Sequence, residues 1–246
     1  MRIFVATLTA GEIAITGDEH HYLGRVRRAR VGDLVELHDG SGRRARATIT
    51  KITATTTMVT ADRPELVVEP GPTIAMLIPP IKGDRMDLCI EKLVEVGVDD
   101  IVVWPAARAV VKLAPDKLEA RLAHYRGIAQ AAARQSTRTT IPTIRYAGDL
   151  AGAVSTLPAV ASDDPKAAAR FVLDPAADTP LVGSETASSH VAMVSGPEGG
   201  LTNDELEWLA DRAFIPSSLG PRVLRAETAP VIAVAIVRHQ RFVAGA

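Results

Sequence analysis

Two glycine- and proline-rich turns late in the chain constrain the fold more than any other feature. The first covers residues 196–200 and follows the apolar run 191–194, and the second covers residues 217–224 and follows 214–215. Such short apolar runs are typical of buried strands. Loops after the strands of an open α/β sheet commonly bind ligands, and glycine lets a backbone approach a ligand closely. We therefore expect the two turns to line one pocket.

A helix signal follows each turn. Thr202 and Glu205 have the spacing of a capping box, in which two side chains satisfy free N–H groups at a helix start. A second helix is predicted to begin near residues 225–228, with Pro230 in its first turn, where a missing N–H costs little. Residues 231–237 are apolar on every side. That helix must be covered all round, by its own domain or by a second subunit.

The C-terminal part alternates predicted strands with predicted helices, which indicates a mostly parallel sheet. The stretch 155–180 is weakly patterned, apart from one short apolar run. The predicted strands cover residues 74–78, 101–104, 171–173, 191–194 and 214–215. Before the two late turns, the predicted helices cover residues 82–96 and 115–135.

The N-terminal part has short β-branched or alternating runs instead. A hairpin signal lies at residues 39–42, and residues 64–72 read as a linker. The sequence thus predicts a small, partly closed β-barrel over residues 1–70 and an α/β domain over residues 73–246. The predicted N-terminal strands cover residues 2–5, 34–37, 45–52 and 56–60.

Composition limits the class of protein. The chain has 246 residues, of which 47% are hydrophobic, enough for two domains with cores. Its single cysteine, Cys89, excludes an internal disulfide framework and indicates a reducing compartment. We find no signal peptide and no apolar run long enough to span a membrane, so we expect a cytoplasmic protein.

Several common sites lack their signatures. The sequence contains no dinucleotide-binding G-x-G-x-x-G after the first strand, no phosphate-binding P-loop and no G-x-S-x-G nucleophile elbow. The cysteine and histidines do not have zinc-ligand spacing, so no metal is expected.

Basic residues indicate an anionic partner. Lys and Arg outnumber Asp and Glu over residues 1–60 and 80–146, whereas acidic residues prevail over 147–246. Residues 20–30 contain two His, a Tyr and several Arg, which can contact phosphates and stack on bases. The plainer interpretation is a solvated, charged helical turn.

Three further positions have two interpretations each. Cys89 lies on the apolar stripe of the helix at 82–96, which favours a core residue over a nucleophile. On the same helix, Lys82, Arg85 and Lys92 are either surface ion-pair partners or RNA contacts. Arg138 follows a helix end, where it either holds a phosphate or substrate carbonyl or is an ordinary surface residue.

The late turns resemble a known family. G-P-E-G-G at 196–200, followed by L-G-P-R-V-L-R-A-E-T-A at 219–229, is similar to the RsmE family of bacterial small-subunit ribosomal RNA uridine-N3 methyltransferases. These are knotted methyltransferases of the SPOUT superfamily. The resemblance covers nearly the whole chain. It extends to Lys82 and Arg85, to residues 91–97, to 135–138 with Pro142, and to residues 26–28, 32 and 33.

The resemblance implies a PUA-like N-terminal barrel and a C-terminal α/β domain whose end forms a deep trefoil knot. It also implies a homodimer that acts on 16S rRNA of the small ribosomal subunit and uses S-adenosyl-L-methionine. The residues implied to hold this cofactor are Leu173, Ser195, Gly196, Gly199, Gly200, Ile215, Ser218, Leu219, Gly220 and Leu224. The residues expected to dock RNA are His21, Arg25, Arg28, Lys82 and Arg85.

Methylation of uridine N3 requires removal of its proton or stabilisation of its anion. Glu198 or Glu227 is a candidate proton acceptor, and Arg225 or Arg138 can hold the developing negative charge. Glu227 could equally be a helix N-terminal carboxylate that faces the helix dipole, and Glu198 could serve only to stabilise its loop.

Two other function classes remain open at this stage. The chain could be a non-catalytic RNA-binding or ribosome-assembly protein that retains a methyltransferase fold. It could also be an enzyme that uses another nucleotide in an ordinary α/β pocket, although no phosphate motif supports this.

Overall fold

A computed structural model describes residues 1–69, 71–159, 168–181 and 188–244. The chain divides into two compact units. The N-terminal unit comprises Met1–Glu69 and Ala133–Ile141, and the C-terminal unit comprises Pro70–Ala132 and Pro142–Ala246. Residues 133–141 therefore pack with the N-terminal unit, although they lie far along the chain. Part of the weakly patterned stretch, residues 160–167, is outside the described residues.

The N-terminal unit contains a six-stranded sheet in the order β1-β3-β4-β5-β2, with β6 also paired to β4. β1 runs parallel to β3, and the other pairs are antiparallel. β3 and β4 form the hairpin that the sequence predicted at residues 39–42. The strands are β1 Arg2–Phe4, β2 Gly11–Ile15, β3 Leu34–His38, β4 Arg43–Ile52, β5 Thr57–Ala61 and β6 Glu65–Leu66.

Alternation along the strands builds the core of this sheet. In β4, Ala45, Ala47 and Ile49 are buried while the residues between them face solvent, as the two-residue period of a strand requires. The sequence predicted β1, β3, β4 and β5 within two residues. β2 and β6 are findings of the structure, and β6 lies inside the predicted linker.

His38 at the end of β3 is completely buried, and its Nε2 lies 2.8 Å from Oε1 of Glu36. Burial lowers the pKa of His38 below its ordinary value of 6.5, although the neighbouring Glu36 opposes this. Burial raises the pKa of Glu36, but the His38 hydrogen bond and the charges of Arg2 and Arg44 outweigh it and lower the pKa overall.

This depressed histidine pKa predicts a pH dependence of stability. The unfolded chain takes up a proton on His38 more readily than the folded chain, so the contribution is present above about pH 6.5 and is lost as the pH falls. The loss cannot exceed about 1.4 kcal/mol per pH unit. Urea unfolding of wild type and His38→Gln at pH 5 to 8 should show a shallower decline for the variant. Parallel curves would contradict the prediction.

The C-terminal unit contains an entirely parallel six-stranded sheet in the order β12-β10-β11-β7-β8-β9. This confirms the mostly parallel sheet predicted from the sequence. The strands are β7 Thr73–Ile78, β8 Asp100–Val103, β9 Thr143–Tyr146, β10 Ala168–Leu173, β11 His190–Ser195 and β12 Phe214–Ser217.

The helices of both units follow the local signals in most cases. Thr202 and Glu205 form the predicted capping box at the start of α5. Cys89 is fully buried on α2, which confirms its place in the core, and burial together with the charge of Glu227 raises the pKa of its thiol to about 12. The helices are α1 Gly17–His21, α2 Asp84–Glu95, α3 Leu118–Gln135, α4 Leu150–Ser155, α5 Asn203–Ala210 and α6 Ala229–Ala244.

The helix α6 contacts α2, β7 and β11. It follows β12, which is an edge strand, so the chain crosses back over the middle of the sheet between β12 and α6. Ala233, Val234 and Val237 are buried, whereas Ile232 is 39% exposed. Among the described residues, no helix is long and apolar enough to span a membrane.

Candidate functional site

A pocket of about 550 Å³ opens at one end of the parallel sheet, and the last residues of three strands line it. These are Leu173 of β10, Ser195 of β11 and Ser217 of β12. The strands are neighbours in the sheet and parallel, so their carboxyl ends meet at one edge, where open α/β folds bind ligands. Both glycine-rich turns start from this edge, and both line the pocket.

The first turn is too tight for a side chain at Gly196. A Cβ there would lie 3.0 Å from the backbone N of Leu201 and 3.2 Å from the carbonyl carbon of Gly200. Gly200 itself has a φ of +70°, and its N–H donates to Pro197 O at 2.9 Å. The turn therefore folds back on itself and brings its backbone close to the pocket.

Arg108 and Glu205 hold the outer side of this turn. An Nη of Arg108 donates to the carbonyl oxygens of Gly199 and Leu201, both at 3.1 Å. Glu205 accepts the N–H of Ala107 at 2.8 Å while its other oxygen caps α5 at Thr202. The segment after β8 thus fixes two carbonyl groups of this turn, and no local sequence pattern predicts that contact.

The second turn is tied to the segment after β10. The N–H of Ser218 donates to Thr179 O at 2.8 Å, and the N–H of Leu181 donates to Ser218 O at 3.0 Å. Gly220 has a φ of +118°, and a Cβ there would meet nothing within 4 Å. Glycine is therefore needed at 220 for its conformation rather than for space.

Three charged side chains meet on the pocket wall. Oε1 of Glu227 lies 3.8 Å from Nε of Arg85 and 3.8 Å from an Nη of Arg225. The Glu227 side chain is only 11% exposed, whereas the arginines are half-exposed or more. Within the described part of the chain, Oε2 of Glu227 is buried and makes no hydrogen bond.

The family model described as an RNA methyltransferase domain matches residues 69–238, and one described as an RNA methyltransferase PUA domain matches residues 15–56. The chain belongs to the RNA methyltransferase family. It is an α/β protein with a PUA domain in its N-terminal part.

Named relatives of this RNA methyltransferase cover nearly its whole length. Ribosomal RNA small subunit methyltransferase E of Mycobacterium tuberculosis is 33% identical over 96% of this chain and 90% of the relative. The protein of the same name from Bacillus subtilis is 30% identical over 94% of this chain and 91% of the relative.

Solved structures agree in fold. Ribosomal RNA small subunit methyltransferase E of Neisseria gonorrhoeae, bound to S-adenosyl methionine, superposes with a TM-score of 0.82 and 25% identity. A Legionella pneumophila protein described as a methyltransferase, in complex with the same cofactor, gives a TM-score of 0.82 and 26% identity. In both cases 97% of each chain is covered.

Most residues that the sequence assigned to the cofactor come together in this methyltransferase pocket. Gly199, Ile215 and Ser218 are outside the lining, and Gly199 packs instead against Arg108, whose Cβ would be 3.3 Å from a Cβ at 199. The predicted residues that line the pocket are Leu173, Ser195, Gly196, Gly200, Leu219, Gly220 and Leu224.

The candidate catalytic residues separate into two groups. Glu198, Arg225 and Glu227 line the pocket. Arg138 belongs to the N-terminal unit, is 7% exposed, and pairs with Glu69 at 3.2 Å. It is therefore a buried ion-pair partner rather than the surface arginine of the plainer interpretation.

Sequence reasoning missed part of the lining. Arg85 was assigned to RNA docking, but its side chain lies beside Glu227 in the pocket. Asp174 and Pro175 directly follow a predicted strand, and that position was a usable signal for them. The unassigned lining residues are Asp174, Pro175, Pro197, Leu201, Leu206, Ser217, Arg222, Val223, Ala226 and Ala229.

The basic segment of the N-terminal unit is partly used for structure. His20 is buried, with its ring nitrogens 2.9 Å from Thr57 Oγ1 and 3.2 Å from Ala54 O. Tyr22 lies against the guanidinium groups of Arg27 and Arg134. His21, Arg25 and Arg28 are exposed.

The remaining basic candidates lie in the C-terminal unit. Lys82 is exposed. Lys92 pairs with Glu91 and Glu95, each at 2.8 Å, as the surface ion-pair interpretation predicted. The described residues contain no cluster of His, Cys, Asp and Glu that could hold a metal ion.

Proposed function

We propose that this protein transfers a methyl group from S-adenosyl-L-methionine to N3 of a specific uridine in 16S rRNA of the small ribosomal subunit. The observation that carries the proposal is the single pocket formed by the two turns, in a chain that belongs to the RNA methyltransferase family. The cofactor-bound structures with TM-scores of 0.82 have the same overall fold and support the choice of cofactor.

The pocket fits this cofactor by its own features. It has a volume of about 550 Å³, and its glycines at 196, 200 and 220 bring backbone groups to the surface. Leu173, Leu219 and Leu224 line the pocket and would offer apolar side chains to the adenine ring, while the backbone of the two turns would hold the ribose. S-adenosylmethionine supplies a methyl group on a positively charged sulfur, so the protein must position the nucleophile rather than form covalent bonds.

The uridine has to lose its N3 proton during the reaction. Glu198 and Glu227 both line the pocket and are the two candidate acceptors, and Arg225 is a candidate for the developing oxyanion. Glu198 is exposed, whereas Glu227 is mostly buried. Arg138, the other candidate for the oxyanion, lies in the N-terminal unit and pairs with Glu69.

The N-terminal unit is the proposed RNA-docking part. Its exposed Arg25 and Arg28 supply positive charge for phosphates, and the exposed His21 can donate a hydrogen bond to them. Lys82 is the proposed RNA contact of the C-terminal unit. We further propose that the N-terminal sheet closes into a PUA-like barrel and that the domains divide at residues 70–73.

The finer features of the C-terminal domain are also proposals. The return of the chain from the edge strand β12 to α6 over the middle of the sheet supports a deep trefoil knot, a rare feature in proteins. The partly exposed Ile232, beside half-buried Val231 and Ile236 on α6, supports a homodimer. Its ribosomal substrate would place the protein in the cytoplasm.

Mass analysis tests the reaction directly. 16S rRNA from cells in which this gene is deleted should lack one N3-methyluridine, and the purified protein with S-adenosylmethionine should restore it on isolated small subunits. The competing function is a non-catalytic RNA-binding protein. It would give no methylation and no thermal stabilisation by the cofactor, and methylation of another atom would contradict the proposed N3 target.

A further inference from the structure

The group formed by Arg85, Glu227 and Arg225 has unused hydrogen-bonding capacity. Both arginines lie 3.8 Å from the same carboxylate oxygen, Oε1 of Glu227. This distance is longer than a hydrogen bond, so neither guanidinium donates a hydrogen bond to the Glu227 carboxylate. The acceptor and both donors line the pocket, and they come from separate elements: Arg85 from α2, and the other two from the segment before α6.

Uracil presents a matching edge. Its N3–H is a donor that lies between the acceptors O2 and O4, whereas this group offers a carboxylate acceptor flanked by guanidinium donors. Enzymes that modify a base commonly read its flipped Watson–Crick edge in this way. We propose that Arg85, Glu227 and Arg225 form the uracil-recognition site, in which Glu227 accepts the N3 proton and the two arginines bind O2 and O4.

This inference rests on the proposed N3 methylation and chooses between its two candidate acceptors. Glu198 is exposed to solvent, and no ion pair of its side chain is found among the described residues. Glu227 is held in a mostly buried position with positive charge on the same side. Only Glu227 therefore combines an acceptor with donors for the two neighbouring carbonyls.

The same group rejects cytosine. Cytosine carries an acceptor at N3 and a donor at N4, so a carboxylate would face a lone pair and a guanidinium would face an amino group. A site built to hydrogen-bond one pattern discriminates against a base that leaves its polar groups unpaired, and the mostly buried Glu227 contributes most to this discrimination. We therefore assign the choice of pyrimidine to these three residues.

The group also accounts for the charge balance of the reaction. The N3 proton passes to the carboxylate of Glu227, and the N3 electron pair forms the new N–C bond. The C–S bond of the methyl donor breaks as the N–C bond forms. The electron pair of the C–S bond stays on the sulfur, which becomes neutral. The positive sulfonium and the negative carboxylate are both neutralised, and the arginines stabilise the negative charge that spreads onto O2 and O4 before methyl transfer.

Single substitutions test this assignment on small subunits from the deletion strain. Glu227→Gln should lower kcat by about 1,000-fold, and Arg85→Gln should lower it by about 100-fold. Arg85→Lys, which keeps one charge but not the planar fork, should lie between Arg85→Gln and wild type. Arg126→Gln on α3, an exposed arginine paired with Glu119, is the matched control and should retain wild-type kcat.

A readout other than turnover separates chemistry from cofactor binding and folding. Calorimetric titration with S-adenosylmethionine should give wild-type affinity for all four variants, with unchanged melting temperatures. Small subunits from deletion cells grown with 5-fluorouracil carry uridines whose N3 is more acidic. On these subunits Glu227→Gln and Arg85→Gln should regain much of their lost kcat, and Arg126→Gln should not change.

The outcomes are distinguishable. If wild type methylates N3 but Glu227→Gln or Arg85→Gln matches the control, or if their losses follow cofactor affinity alone, the uracil site is overturned and the proposed function stands. Absence of rescue on the fluorinated subunits also overturns it. If wild type methylates no uridine N3, the proposed function itself fails.

Discussion

Replacement of Gly196 by valine is expected to weaken the binding of S-adenosylmethionine by about 100-fold. The Cβ of the new side chain would lie 3.0 Å from Leu201 N and 3.2 Å from the carbonyl carbon of Gly200. Both are backbone atoms. The hydrogen bonds that Arg108 donates to Gly199 O and Leu201 O prevent the turn from moving away. Forcing such overpacking costs about 1–3 kcal/mol.

Isothermal titration calorimetry of Gly196→Val and Gly196→Ala measures this loss. The alanine variant should be weaker than wild type and tighter than the valine variant. Gly127→Ala is the control, because a Cβ at this position of α3 would meet nothing within 4 Å beyond its own helix. If Gly196→Val binds the cofactor as tightly as Gly127→Ala, the first turn is not part of the cofactor site.

Asp99→Ala is expected to destabilise the C-terminal unit by about 2–3 kcal/mol. Its Oδ2 accepts the N–H of Ile74 in β7 at 2.8 Å and an Nη of Arg238 in α6 at 2.7 Å. Arg238 also donates to Gly97 O through Nε at 2.9 Å. Loss of the carboxylate leaves the Ile74 N–H without this acceptor and a partly buried guanidinium without its counter-charge.

Thermal unfolding followed by circular dichroism measures the effect. A loss of this size lowers Tm by about 5–10 °C in a chain of this length. Asp116→Ala in the turn before α3, where the aspartate is exposed, should leave Tm unchanged and serves as the control. Equal melting temperatures for the two variants would show that the Asp99 contacts contribute nothing to the stability of the unit.

The parts of the fold that the sequence predicted are those whose signals are local. β7, β10 and β11 are buried in a parallel sheet, so each contains a short apolar run that can be recognised without its neighbours. The run at 214–215 also predicted a strand, but β12 lies at the sheet edge, so Ile215 is 38% exposed and the expected burial is wrong there. The capping box at Thr202 and Glu205 depends on a spacing of three residues. The pocket could be predicted because both turns directly follow such strands.

The elements that were missed depend on distant partners. β6 has only two residues and exists because Arg43 and Arg44 of β4 pair with it. β9 and α4 are short, and β9 is an edge strand that pairs with β8. Elements of this length do not bury enough apolar surface to leave a clear periodic pattern.

The same distinction applies to the site. Gly196 and Gly220 could be assigned from sequence because their role depends on their own backbone. Arg85 and Glu227 lie close together although they are 142 positions apart in the sequence. The buried ion pair between Arg138 and Glu69 also joins residues that are distant in the sequence. Sequence patterns give the type of such residues but not their partners.

The pocket takes its walls from residues as distant in the chain as Arg85 and Ala229. A growing polypeptide therefore has no complete pocket until residue 229 has emerged during translation. Every chain shorter than 217 residues lacks the whole second turn, and every chain shorter than 227 residues lacks the carboxylate of Glu227. A ribosome-bound chain of fewer than 227 residues therefore has an incomplete pocket wall and no proton acceptor at position 227.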